Sequence, residues 1–587
     1  MRRLLPLVVG LAASSLATAQ TPPNVVVFLA DDLGYADVGP YDDDNDPQTP
    51  DVTNTPELDQ LATEGVRMTA FYANASVCSP SRAALLTGRH SIRSGITQVF
   101  GPNDPNGLPP SEITIAEMLE PLGYRTGIVG KWHLGDQLQY LPLQQGFDSF
   151  YGVPFSNNSP SVYLIRDNTV ISPTVNQEML TQDFTTEAIQ FIDDAVAASE
   201  PFFLYMPYTA PHTPLFPSPG FNGITGRGAY PDTVFEMDWS IGQILDRLDF
   251  HGLTNDTFVV FCSDNGTCNN ATVGPDPGEP GENDPWRWAC GSNAPFSGFK
   301  FGILEGGVRS PFIARWPGVL PAGVVRDTIG SLLDVLPTIA GITGATVPFD
   351  RPIDGEDLFG ILTADAPRVL DELHFYRLFG GAQWGSRELV STRRGKWKQY
   401  YNSAFTPVAL YDVLGDPSES TSITNPAVSK TIYDRSRDFD CRLDDPVSYV
   451  DPLDLASFRP VTVTSSVGCR TSTRAVDGSL ATRWSSAAAG SEDLLVDFGS
   501  VQAMQRVLIY WGPNFAVEYD VSLSKNGTTW TQAYHETSGN GGRDIIALTK
   551  SARYLRVECA HGPGVGYEIR ELRVQPALLP HSIHPAK

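Results

Sequence analysis

Four short apolar runs, each ending in side chains able to do chemistry, constrain this chain more than any other feature. Residues 25–30 lead into Asp31 and Asp32. Residues 126–129 lead into Gly130-Lys131-Trp132-His133. Residues 202–206 are followed by Pro211-His212, and 258–261 by Ser263-Asp264-Asn265-Gly266. Unbroken apolar runs of this length predict strands buried on both faces, as in parallel sheets. Helical patterns at 113–122, 185–198 and 234–248 lie between them. The alternation predicts an α/β core with a mixed, mostly parallel sheet flanked by helices. In such sheets ligands sit beyond the carboxyl ends of the strands. The polar groups at the four strand ends would converge there.

The N-terminus reads as an export signal. Met1-Arg2-Arg3 precedes an apolar stretch at 4–16 and then Ala17-Thr18-Ala19. A basic start, an apolar core and an A-x-A site predict a secretory signal peptide over 1–19. No cysteine follows the cut, so no lipid anchor is expected, and no later apolar span predicts a transmembrane anchor. Localisation is therefore expected to be secreted or periplasmic. Forty-one Lys and Arg stand against 67 Asp and Glu, a formal net charge of −26. Such a chain is not expected to bind nucleic acid. It would also repel a polyanion at long range, so any positive potential must be local to a pocket. Of seven cysteines, Cys262 lies in an apolar run and reads as a buried thiol. Cys268 and Cys290 flank a Gly/Pro/Asp-rich insertion and could close it; Cys469 and Cys559 could staple the C-terminal unit.

The most specific string is Ser76-Val77-Cys78-Ser79-Pro80-Ser81-Arg82, continuing to Leu86-Thr87-Gly88-Arg89. Ser79 suits a helix cap, Pro80 a first turn and Gly88 a helix end. Unpaired backbone N–H groups and a guanidinium there would favour an oxyanion. Cys78-x-Pro80-x-Arg82 with Leu86-Thr87-Gly88-Arg89 resembles the signature of the formylglycine-dependent (type I) sulfatases, of the alkaline phosphatase superfamily. The resemblance implies that a formylglycine-generating maturation enzyme oxidises Cys78 to an aldehyde whose hydrate is the nucleophile. Gln145-Gly146-Phe147-Asp148-Ser149-Phe150-Tyr151-Gly152-Val153-Pro154 resembles the arylsulfatase A-like branch.

Asp31, Asp32, Asp264 and Asn265 offer only oxygen, which suits a hard cation such as Ca²⁺ or Mg²⁺. The resemblance assigns all four, together with residue 78 itself (Cys78 before maturation), to one calcium ion. It implies that Arg82 holds the aldehyde hydrate and the sulfate, with Lys131 and Lys300 stabilising charge. Asp264 would be the base for attack. His212, assisted by Lys300, would protonate the leaving alcohol, and His133 would take a proton from the second hydroxyl. Lys300 precedes Glu305-Gly306-Gly307-Val308-Arg309-Ser310-Pro311, where the family places a sulfate-binding lysine, but its flanks are Phe299 and Phe301 in place of the usual Gly-rich form. His90 follows the nucleophile helix and has a weaker claim to the pocket, and His251 reads as structural.

The pattern changes near residue 372 to short strands. Arg394-Gly395-Lys396-Trp397-Lys398 and Leu410-Tyr411-Asp412 resemble the small C-terminal sulfatase subdomain, with a small antiparallel β-sheet, and 416–452 reads as a polar connector of helix and loop. From about 459 the chain turns all-β, with a hairpin signal at Asn526-Gly527. Ala475-Val476-Asp477-Gly478, Thr482-Arg483-Trp484 and Glu571-Leu572-Arg573-Val574 resemble a discoidin-type (coagulation factor type C) sandwich, many bacterial versions of which bind carbohydrate. Asp477, Thr482 and Glu571 could hold a second, structural calcium, and Trp511 or Tyr567 could stack on sugar. The expected divisions are a signal peptide at 1–19, a catalytic domain at 20–370, a subdomain and connector at 371–455, and the discoidin-type domain at 456–578. The function expected is a sulfuric ester hydrolase acting on sulfated carbohydrate. Alternatives are a phosphonate monoester or phosphodiester hydrolase with the same nucleophile, and a non-catalytic glycan-binding secreted protein.

Overall fold

The protein is described from a computed structural model covering residues 22–42, 55–159, 161–271, 274, 284–377, 388–441, 461–463, 466, 475–476, 484–487, 491–512, 514–539, 541–561 and 566–576. A ten-stranded mixed sheet forms the core. At its centre Thr257–Ser263, Asn24–Ala30, Phe202–Pro207, Arg125–Lys131 and Ser149–Val153 run side by side and parallel. Phe312–Arg315 joins antiparallel on one side, and Leu164–Arg166 on the other. The expected strands are thus the four central ones, each buried on both faces.

Alternation along each strand divides the core in two. Val25, Val27 and Leu29 face one apolar cluster, with Phe203, Tyr205, Phe258 and Val260. Val26, Phe28 and Ala30 face the other, with Leu204, Met206, Val259 and Phe261. The first cluster is covered by Cys78–Thr87, Ile115–Leu119 and Val335–Thr343. The second is covered by Pro56–Glu64, Leu180–Ala198 and Ala229–Phe250. The two long helices start five residues before their apolar periodicity suggests, and those first turns already bury Leu180, Phe184 and Tyr230. Ile115–Leu119 begins at a capping box, with the Glu117 amide donating to Thr114 Oγ1 (3.2 Å) and the Thr114 amide to Glu117 Oε2 (2.8 Å).

Beyond residue 370, Glu372–Arg377, Glu388–Arg394, Trp397–Tyr401 and Pro407–Asp412 form a four-stranded antiparallel sheet. The polar stretch expected as a connector contains the helix Pro426–Cys441, which docks on this sheet. Ser436 Oγ donates to Thr392 Oγ1 (2.8 Å) and Tyr401 donates to Ser436 Oγ (2.8 Å). The C-terminal unit is an antiparallel seven-stranded sheet built around the long strands Glu492–Trp511 and Arg543–His561. Asn526-Gly527 does turn a hairpin there, between Glu518–Ser524 and Thr531–Glu536.

Cys268 and Cys290 form a disulfide with Cα atoms 5.3 Å apart. Cys262 is a buried free thiol. Cys559 is also a buried free thiol, so the suggested staple to Cys469 is corrected: its side chain points into the apolar core of the C-terminal sheet. Trp511 and Tyr567 belong to that same core, which removes both as sugar platforms. Asp477, Thr482 and the side chain of Glu571 lie outside the described residues, and so does 1–19.

Candidate active site

Cys78 opens the site from the first residue of its helix. The helix Cys78–Thr87 has Val77 at its N-cap, so Ser79 is inside it and does not cap. Ser79 Oγ instead accepts the Phe100 amide (3.3 Å). Gly88 ends the helix in a left-handed conformation (φ +66°) that its lack of Cβ permits, and its amide bonds Ala84 O at 2.9 Å. Cys78 is 1% exposed, and burial pushes its thiol up, away from the thiolate.

The carboxyl ends of three central strands are tied together by main chain. The Asp31 amide donates to Ala210 O (3.0 Å) and the Asp264 amide to Ala30 O (3.2 Å). These bonds bring Asp31, Asp32, Asp264 and Asn265 to one point next to Cys78. Cys78 Sγ is 3.4 Å from Asp31 Oδ1 and 3.9 Å from Asp32 Oδ1. Asp32 and His133 both hold left-handed backbone (φ +62° and +59°), which is uncommon for such residues and concentrates at functional sites.

Three buried cations face three buried carboxylates. Arg82 donates from Nε and Nη2 to Asp264 Oδ2 (3.0 and 2.9 Å) and from Nη1 to Lys131 O (2.8 Å), with Nη2 3.3 Å from Asp31. Its guanidinium therefore fixes carboxylates, rather than standing open to a ligand. Lys131 Nζ bonds Asp31 Oδ2 at 2.6 Å, and Lys300 Nζ bonds Asp32 Oδ2 at 2.7 Å. Burial acts to raise the Asp31 carboxyl, but Lys131 and Arg82 outweigh it and hold it well below the ordinary carboxylate range. Asp264 goes the other way: burial, followed by the charge of Asp31, pushes it up to about 7. Burial acts against the Lys300 ammonium, yet the Asp32 charge keeps it firmly protonated.

Each of the two histidines has one ring nitrogen committed to a carbonyl. His212 Nδ1 lies 2.5 Å from Thr213 O, so Nδ1 carries the proton and Nε2 accepts from Lys300 Nζ at 3.0 Å. Burial, then Lys300, pulls His212 down to about 4. His133 Nε2 donates to Phe100 O (2.9 Å), which leaves Nδ1 a buried lone pair with no hydrogen-bond partner. Burial, then Lys131 and Arg82, holds His133 well below its ordinary value.

Sequence reasoning missed Ser156, whose hydroxyl lies 3.4 Å from Lys131 Nζ and 3.5 Å from His212 Nε2. It also missed the carbonyls of Phe100 and Thr213 that set the two tautomers. The string 145–154 ends two residues before Ser156 and was the available pointer. His90 lies elsewhere: its Nδ1 accepts from Asn74 Nδ2 (2.9 Å), and its ring packs among Tyr376, Phe439 and His374. His251 pairs with Asp193 at 2.8 Å.

One feature fits a resident cation. Asn265 Oδ1 is buried without a hydrogen-bond partner, although its Nδ2 bonds Asp32 Oδ1 (2.7 Å) and Gly266 O (2.9 Å). An orphaned amide oxygen among three carboxylates is costly unless something positive meets it. Ligand atoms from Asp31, Asp32, Cys78 and His212 also lie within 4.8 Å of one another.

The chain is similar to known proteins along both of its main parts. A family profile described as Sulfatase matches residues 23–345. A second, described as a NedA-like, galactose-binding domain, matches 474–557. N-acetylgalactosamine-6-sulfatase of Mus musculus is 39% identical over 384 residues, covering 61% of this chain and 69% of that protein. Arylsulfatase G of Rattus norvegicus is 34% identical over 424 residues, covering 64% and 73%. The crystal structure of PsFucS1 sulfatase from Pseudoalteromonas sp. is 25% identical with a TM-score of 0.62, covering 72% of this chain and 91% of that one.

Proposed function

Because this chain belongs to the sulfatase family, and is on that ground a sulfuric ester hydrolase, we propose that residue 78, matured from cysteine to formylglycine, is its nucleophile and that its substrate is a sulfated carbohydrate. The observation that carries this reading is the convergence of nine predicted residues around Cys78: Asp31, Asp32, Arg82, Lys131, His133, His212, Asp264, Asn265 and Lys300. The carbohydrate assignment is supported by likeness to N-acetylgalactosamine-6-sulfatases and by the galactose-binding-type module. Export through the 1–19 leader, and a maturation enzyme that reads Cys78-x-Pro80-x-Arg82, are parts of the same reading.

Formylglycine, as its hydrate, supplies one hydroxyl to attack sulfur and a second whose deprotonation expels sulfate. Asp31, Asp32, Asp264 and Asn265 would hold a divalent cation, which we assign as calcium from their oxygen-only chemistry; it would polarise a sulfate oxygen. The charge balance supports it. Arg82, Lys131 and Lys300 only cancel Asp31, Asp32 and Asp264, and a divalent ion leaves the pocket positive within a chain of net charge −26.

The chain's own residues then have separate tasks. Lys131 and Lys300 face the sulfuryl oxygens. Arg82 keeps Asp31 and Asp264 in place. Asp264 is the candidate base, and to take a proton it must give up part of its bonding to Arg82 or to the Asp32 amide (3.2 Å). Lys300 and His212 share a transferable proton at 3.0 Å and can present it to the departing alcohol. His133 Nδ1, the orphaned lone pair, is the atom to accept the proton of the second hydroxyl. The test pairs peptide mass spectrometry with turnover. Active protein should carry an aldehyde at residue 78 and release sulfate from defined sulfated sugars. An unmodified thiol in fully active protein, or faster turnover of aryl phosphodiesters than of any sulfate ester, defeats the reading.

A further inference from the structure

Beside Lys300 the chain does something costly. Residues 299–302 form a hydrogen-bonded β-turn, the Gly302 amide donating to Phe299 O at 2.9 Å. Its third residue is Phe301, with φ +72°. That position ordinarily goes to glycine or asparagine, since a Cβ there meets the following carbonyl. A bulky aromatic residue at positive φ is an outlier, and such strain persists where the surroundings enforce it and function uses it.

The turn is pinned from both sides of the site. The Phe301 amide donates to Ser76 O (2.9 Å), two residues before Cys78. The Lys300 amide donates to Thr267 O (2.9 Å), two residues after Asn265. The strained conformation is thus locked to the two segments that carry the nucleophile and the carboxylates.

The ring is also in a telling place. Its centroid lies 5.3 Å from Lys300 Nζ, the ammonium that itself lies 3.0 Å from His212 Nε2. Yet Phe301 is 44% exposed, and Phe299 on the other flank is 38% exposed. A large apolar ring at the rim of a charged pocket is neither core nor solubilising surface. The Lys300–His212 pair marks where the alcohol departs, so the ring stands at the mouth on the leaving-group side.

We propose that Phe301 is the platform on which the ring of the substrate's leaving group rests, and that it selects sulfate esters whose alcohol presents a flat apolar face, such as the C–H face of a pyranose. This rests on the sulfatase reading above. The sulfate is held by the charged floor, the ring by Phe301, and the turn fixes the spacing between them.

Binding decides it without turnover. In a Cys78→Ala background, 4-nitrophenyl sulfate and methyl sulfate are titrated by ligand-observed NMR. Both carry one sulfate ester of the same charge, and only the first carries a ring. Phe301→Gly should weaken 4-nitrophenyl sulfate by about five- to twentyfold. It should change methyl sulfate by less than about twofold, and Phe301→Tyr should keep both near wild type. Phe301→Asn, which also tolerates positive φ, should reproduce the glycine result if the glycine variant folds poorly. Equal losses on the two esters would show that the residue acts only through Lys300. No loss on the ring-bearing ester would remove the platform outright. Failure of the native protein to release sulfate would instead defeat the proposed function, with this affinity ratio still measurable.

Discussion

Lys300 Nζ stands 3.0 Å from His212 Nε2, while the other His212 nitrogen is spent on the Thr213 carbonyl. The imidazole can therefore receive and deliver a proton only at Nε2, where Lys300 is its nearest partner. His212→Ala should accordingly be read against leaving-group quality. On a sugar sulfate, whose alkoxide needs a proton, the loss in kcat should reach about 100- to 10,000-fold. On 4-nitrophenyl sulfate, whose phenolate leaves unaided, the loss should be at least about tenfold smaller. Equal losses on both would assign His212 to sulfate binding alone.

Chelation of the proposed cation should abolish turnover and lower thermal stability together. A ligand that binds only the folded state at a hundred times its Kd contributes about 2.7 kcal/mol. A chelator should lower Tm by several degrees, and calcium should restore it. In Asp264→Asn that chelator-induced shift should disappear. Zinc, with no calcium or magnesium, in an active preparation would contradict the oxygen-only donor set.

His90 gives a pH signature away from the catalytic pocket. Burial lowers it to about 4 from an ordinary value near 6.5. The unfolded chain therefore takes up a proton before the folded one does. The stability cost is absent above about pH 6.5 and grows as pH falls toward 4, to a few kcal/mol. His90→Gln should be less stable than the parent at pH 7, and the gap should shrink or reverse by pH 4. Parallel stability curves in denaturant melts across this range would refute the assignment.

Glu305 anchors the small sheet to the catalytic core. It is fully buried and meets Tyr72 (2.5 Å), Arg309 (3.0 Å), Arg393 (3.3 Å) and Lys398 (2.9 Å), while its own amide donates to Glu419 (2.7 Å). Removing one member of such a cluster leaves buried charge uncompensated, at a cost of about 3–5 kcal/mol. Glu305→Ala should lose that much in chemical denaturation. A change below about 1 kcal/mol would mean that water reaches the cluster.

A chain ending near residue 452 should keep most of its rate on a small aryl sulfate and lose affinity or rate on a sulfated polymer. Tethered binding raises local polymer concentration and offers little to a substrate that fits the pocket alone. Equal loss on both substrates would show that the C-terminal unit supports the core mechanically.

The cluster around Cys78 was legible because most of its members follow buried strands or sit inside one rigid signature, where local sequence decides geometry. Ser156, Phe100 O and Thr213 O were not legible. A small hydroxyl and two carbonyls carry no signal until the fold brings them to Lys131, His133 and His212. Nothing in the sequence joins Glu305, Arg393, Lys398 and Glu419, and only the docking of the four-stranded sheet makes them a network. Cys559 misled for the converse reason: with Cys469 it flanks the C-terminal unit and could have stapled it, but a strand's alternation turned the thiol into its own core. Pro426–Cys441 read as a connector because the sheet it packs on is assembled from sequence 14–54 residues upstream of its start.

Cys78 is enclosed at the floor of its helix, under the strand ends and the 299–302 turn. Residues 78–82 are helical and buried, with Cys78 1% exposed, so the folded molecule offers this segment to no macromolecular catalyst. The maturation proposed above would therefore have to precede the folding of this segment, and folding would close the window behind it. A cell that folds this protein faster than it modifies it would accumulate a stable molecule that no later treatment could switch on.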